Sequence, residues 1–198
     1  MAKEAQDIKV IKLGGFCSVL GMIVIIAMVY AATVFSPWFR WDGNALSQLG
    51  IGEQAPLFNS AVIVGGVFLL FFALGLKQFL PRKTLNKIGV TLILTGSVCL
   101  ALVGVFTVEQ PLLHVFFALG FFVLSPLGLI LIGKGVEEDK GFRVLTMASG
   151  ITALIVILVL PFPLSRLGAG FAVPEMVHAL ILGTWTIFMG KKLIQHKP

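Results

Sequence analysis

Residues 87–133 read KIGVTLILTGSVCLALVGVFTVEQPLLHVFFALGFFVLSPLGLILIG. Two apolar runs, 87–108 and 112–133, are separated only by Glu109, Gln110 and Pro111, and each has the roughly 20 residues an α-helix needs to cross hydrocarbon. In hydrocarbon every backbone group must pair internally, so runs of this length are helices rather than strands. Neither run shows the strict alternation of a membrane barrel. The short break makes the pair antiparallel neighbours.

The same pattern recurs outward from this hairpin. Further apolar runs lie at about 13–35, 57–80, 143–162 and 174–194, predicting an all-α bundle of six transmembrane helices within one domain, 1–198. The first run is too long for the apolar stretch of a signal peptide, and Ser36-Pro37-Trp38 is a poor cleavage site. Composition agrees: 58% of the 198 residues are hydrophobic, 22 more are glycine, and mean hydropathy is +1.02. A soluble domain has about 45–50% in these classes together, which excludes an ordinary cytosolic enzyme, a disordered chain and a nucleic-acid-binding domain. Two cysteines exclude a disulfide scaffold and a four-cysteine zinc site; Cys17 and Cys99 lie at different depths and are not expected to pair.

The basic residues orient the bundle. With the N-terminus in the cytoplasm, thirteen of the fifteen fall on that side and only Arg40 and Arg166 lie opposite. The positive-inside rule then puts both termini in the cytoplasm of a multi-pass cell-membrane protein. The net charge of +6 reads as topology and attraction to anionic lipid. Tyr30, Trp38 and Trp41 read as interfacial anchors.

Less ordinary polar residues collect on the outer side. The longest loop, Ser36 to about Ala55, carries Arg40, Asp42, Asn44 and Ser47; the second longest, Pro161 to Val173, carries Arg166. Helices 2, 4 and 6 open alike, at Pro56-Leu57-Phe58-Asn59, Pro111-Leu112-Leu113-His114 and Pro174-Glu175-Met176-Val177-His178. Proline suits a first helical turn, where its missing N–H costs nothing. A glycine follows each proline by nine residues, at Gly65, Gly120 and Gly183, suggesting three related hairpins. Their outward N-termini carry partial positive charge, which Glu53, Glu109 and Glu175 either complement or turn into a shared vestibule with Asn59, His114 and His178.

Phe35-Ser36-Pro37-Trp38, Asn44 to Gly50, and Pro56 to Ser60 together resemble a prokaryotic family of six-helix membrane proteins catalogued as domain of unknown function 998. The resemblance covers most of the chain and includes the histidine that opens helix 4, here His114. Gln48 stands where the family often has an acid, and Val115 where a second histidine is frequent. It implies the fold and the place of a site, and no activity.

The candidate ligand-binding set is His114, His178, Glu175, Asn59, Asn44, Ser47, Arg40 and Arg166. Glu175 and His178, three apart, share a helix face. Ser47 and Asn44 would orient an imidazole from a second layer. The function expected is binding of a lipid head group or small amphiphile, with Arg40 or Arg166 assisting if the head is anionic. Two alternatives use the same residues. His114, His178 and Glu175 would hold zinc for lipid hydrolysis, or the two histidines would ligate haem in a haem or quinone redox protein. Ser125-Pro126 is expected to kink helix 4. Membrane lipids are the expected partners, and nucleic acid is not.

Overall fold

A computed structural model of the chain describes residues 2–161, 163 and 168–197. Six helices are long and apolar enough to cross a membrane: α1 (Ala2–Val34), α2 (Ala55–Phe79), α3 (Thr84–Val105), α4 (Pro111–Gly135), α5 (Lys140–Leu158) and α6 (Ala172–Ile194). This is a multi-span, all-α membrane protein. Five of the six helices begin two to eleven residues before the matching apolar run, because hydropathy marks the lipid-facing core while the helix starts in its polar flank, and α3 and α5 end three and four residues short of the expected 108 and 162. The largest difference is at α1, whose 33 residues would extend about 50 Å, against a hydrocarbon core of about 30 Å. Seven of its first eleven residues are the good helix formers Ala, Lys, Glu and Gln, and they continue the helix beyond the apolar run.

Each helix packs against the next in sequence, and α6 returns to α1, so the helices close a ring in chain order. Small residues set the closest crossings, as expected where lipid supplies no hydrophobic drive between helices. A Cβ on Gly14 of α1 would stand 2.8 Å from the Cα of Gly75 in α2. A Cβ on Gly89 of α3 would stand 2.7 Å from the carbonyl oxygen of Gly128 in α4. The third crossing of this kind joins α1 and α6, where a Cβ on Gly15 would stand 2.7 Å from the Gly190 carbonyl.

The three glycines that follow the prolines divide in the same way. Gly65 packs on Ile25 of α1 and Gly120 on Cys99 of α3, each against the preceding helix. Gly183 packs on Met22 of α1, skipping α5. Two hairpins thus share a pattern, and α6 departs from it to close the ring. α4 runs unbroken through Pro126, whose carbonyl would lie 2.6 Å from a Cβ on Gly150 of α5.

The ends of the bundle differ. At the end that holds both termini, the α4–α5 turn is tied by ion pairs from Lys83 to Glu137 and Glu138, at 3.5 and 3.3 Å, and from Lys192 to Asp139, at 3.1 Å. Asp139 also caps α5 by accepting the Phe142 N–H at 2.9 Å. At the other end, residues 36–54 fold over the bundle as a lid containing the short 3-10 helix Leu46–Gly50.

Candidate functional site

The lid owes its position to backbone pairing with the start of α6. Gly170 N–H donates to the Asp42 carbonyl at 2.7 Å, and Ala172 N–H to the Asn44 carbonyl at 2.8 Å. Leu46 N–H, at the start of the 3-10 helix, donates to a carboxyl oxygen of Glu175 at 2.6 Å. Gly170 is required here, since a Cβ would overlap the Asn44 backbone. Beneath these bonds Leu46 and Leu49 are buried against Val29, Ala32, Phe58, Ala61, Val62 and Ala172.

Below the lid lies a cavity of about 180 Å³, lined by α1, α2, α3, α4 and α6. From Glu175 to Thr186 along α6 it runs eleven residues, or about 16 Å, roughly one leaflet of hydrocarbon. Most of its wall is Phe, Leu, Ile, Val and Met, and its far end is closed by Phe72 and Trp185, whose rings meet edge to face at 5.9 Å. Its polar lining residues are Ser18, Ser47, His114, Ser125, Glu175 and Thr186. Ser18 and Thr186 donate to carbonyls of their own helices, Gly15 and Leu182, each at 2.7 Å, which uses their hydroxyl protons. Ser125 Oγ is buried without a partner. Ser47, His114 and Glu175 gather at the lid end.

His114 Nδ1 lies 2.8 Å from the Phe106 carbonyl at the end of α3. A carbonyl can only accept, so Nδ1 carries a proton, and in the neutral imidazole Nε2 keeps a bare lone pair. His114 stands in the fourth position of α4 and takes its depth from Pro111 in the first. Glu175 stands in the first turn of α6 and meets both the lid and the cavity.

The structure brings Ser47, His114 and Glu175 together on the cavity wall and distributes the other expected site residues elsewhere. Asn59 donates to the Gly50 carbonyl at 3.1 Å, anchoring the far end of the lid. Asn44 accepts the Arg40 N–H at 2.7 Å and donates to Gln48 Oε1 at 2.8 Å, bracing the lid from within. Gln48 Oε1 also accepts Ala45 N–H at 3.1 Å. Both bonds use an acceptor oxygen, so a carboxylate at 48 would serve equally. Arg40 is exposed and pairs with Asp42 at 2.9 Å, holding that carboxyl below the usual carboxylate range. Arg166 lies outside the described residues. Glu53 and Glu109 are exposed and line no part of the cavity.

His178 is fully buried beside the cavity, a turn further into its helix than His114 is into α4. Its Nδ1 lies 3.1 Å from the Ala153 carbonyl of α5, and its ring meets Phe121 and Phe122 edge-on at 5.8 and 5.0 Å. The two phenylalanines, not the imidazole, face the cavity. Nε2 of His178 has no partner. Among the described residues, no three His, Cys, Asp or Glu side chains group closely enough to hold a metal ion, the set His114, His178 and Glu175 included.

Sequence reasoning missed Trp185, which donates its indole N–H to Thr146 Oγ1 at 3.0 Å while closing the cavity. An indole in the middle of a span, opposite a threonine, was the available signal. It also missed Gly170, one glycine among many in a loop.

A family model described as Protein of unknown function (DUF998) matches residues 19–191. The chain belongs to this family. The match takes in the lid, the start of α6 and all three polar residues at the lid end of the cavity, so the DUF998 region contains the complete site. Searches of curated proteins and of solved structures each returned no match.

Proposed function

We propose that the cavity binds one amphiphile, with its head against Ser47, His114 and Glu175 under the lid and its chain along the apolar cleft. The observation that carries this reading is the distribution of polarity. Ser47, His114 and Glu175 stand at the lid end of a cavity about 16 Å long, and the remainder is almost wholly apolar apart from the unpartnered Ser125 hydroxyl deeper in α4. Ligand sites combine an apolar wall with a few convergent polar groups in this way.

We further propose that both termini are cytoplasmic and that the lid end faces outward from the cell membrane, giving access from the outer leaflet. The concentration of lysine and arginine at the opposite end supports that orientation. The protein would then hold or present a membrane amphiphile.

The test is extraction and mass spectrometry of amphiphiles that remain with the purified protein. Wild type should retain one per chain, and Ala179→Phe, which fills the cleft, should retain none. Equal retention by both would reject the reading. A visible spectrum and metal analysis of the same preparation separate the alternatives: a Soret band selects the redox protein, and stoichiometric zinc the hydrolase.

A further inference from the structure

Building on the amphiphile reading, we infer that the cavity selects a single-chain amphiphile whose head donates hydrogen bonds, a polyol or an ammonium, and rejects anionic heads. Three groups face the head. His114 offers a lone pair at Nε2, because the Phe106 carbonyl fixes its proton on Nδ1. Glu175 spends part of its capacity on Leu46 N–H, and when ionised, as opposite an ammonium head, its carboxyl accepts bonds and donates none. Ser47 can do either. The set is therefore rich in acceptors and calls for donors.

Among the described residues an anion finds no counter-charge there, since no lysine or arginine lines the cavity. The nearest cation in the lid, Arg40, is exposed and held by Asp42 through bonds of 2.9 and 3.2 Å. Helix N-termini attract anions, and three meet at this end of the bundle. Each is blunted: proline removes an N–H from the first turns of α2 and α4, and Glu175 already stands in the first turn of α6. Placing phosphate beside an ionised Glu175 would put like charges together in a site with little water, which is strongly unfavourable.

Trp185 at the far end of the cavity reports whether a chain has entered. In the Trp38→Phe, Trp41→Phe background it is the only tryptophan left of three. The full chain in nanodiscs is titrated with three probes sharing a terminally brominated dodecyl chain: a glycerol monoester, a primary ammonium and a phosphate monoester. Saturable quenching by the glycerol and ammonium probes, at least tenfold tighter than by the phosphate, is expected. Equal or tighter binding of the phosphate overturns the head-group assignment and leaves the amphiphile reading standing. Failure of all three to quench Trp185 overturns both. Glu175→Gln should weaken the ammonium probe, leave the glycerol probe nearly unchanged and strengthen the phosphate severalfold. Uniform weakening of all three probes would make Glu175 a lid latch alone and overturn the assignment.

Discussion

The backbone N–H of Leu46 and the carboxyl of Glu175 meet at 2.6 Å across 129 residues of sequence. One side chain thereby joins the lid to the last helix and borders the cavity. Its removal should loosen residues 42–50 without unfolding the bundle. A hydrogen bond to a charged group contributes about 1.5 kcal/mol or more, equivalent to about tenfold in an opening equilibrium. Glu175→Ala should therefore accelerate hydrogen exchange at Leu46 about tenfold, with exchange in the middle of α3 unchanged. Acceleration in both places would mean the bond supports the whole fold.

The two buried histidines should respond differently to alanine. His114→Ala should weaken probe quenching of Trp185 and, by removing the partner of the Phe106 carbonyl, lower stability by about 1–2 kcal/mol. His178→Ala empties a fully buried site and removes its hydrogen bond to the Ala153 carbonyl, which should cost about 2–4 kcal/mol. Thermal midpoints and quenching titrations on both variants decide the matter, and an exchange of roles would reverse the assignment.

Glycine positions should divide by what they face. A Cβ on Gly120 would meet the Cys99 sulfur at 2.7 Å, whereas one on Gly128 would meet the Gly89 carbonyl at 2.6 Å. Both Ala substitutions should destabilise, by about 1–3 kcal/mol. Cys99→Ala should rescue Gly120→Ala and do nothing for Gly128→Ala, because a backbone oxygen cannot be trimmed. Rescue of both, or neither, would contradict the crossing described for α3 and α4.

The cap of α5 should be acid-sensitive. The Phe142 N–H, and then Lys192, lower the Asp139 carboxyl below its ordinary value. A lowered carboxylate stabilises fully above its unfolded value, about 3.9, and its contribution fades as pH falls through the lowered one. The thermal midpoint of wild type should drop between pH 6 and pH 3 by more than that of Asp139→Asn. Equal drops would remove Asp139 from the acid response.

Orientation is checked by labelling single cysteines from outside cells. Probes at Asn44 and Gly168 should react, and probes at Lys83 and Asp139 should not. The reverse pattern would turn the lid toward the cytoplasm.

The helices were legible because hydrocarbon imposes a length and an apolarity that few other structures share. Runs such as 112–133 give their ends to within a few residues. Part of the site was legible too: Pro111 and His114, or Pro174 and Glu175, mark helix starts whose polar residues lie at one level. What a list of residues could not supply was side-chain direction. His178 sits one helical step aside from Glu175 and Ala179, enough to aim it at Ala153 rather than into the cavity. Asn59 and Asn44 looked equally available for a ligand, yet the lid carbonyls and amides around them absorb their hydrogen bonds. The lid's pairing with α6 depends on contacts between distant segments, for which hydropathy carries no signal.

That pairing also fixes an order of events at the ribosome. The lid leaves the exit tunnel soon after α1, but its partners Gly170, Ala172 and Glu175 are made more than 120 residues later. At about 5–20 residues per second, the lid spends on the order of ten seconds on the membrane with Leu46 and Leu49 unsheltered by α6. Insertion of the last helix completes the cavity wall and fastens its cover in one step, so a nascent chain stalled before α6 has five spans and an open, uncovered cleft.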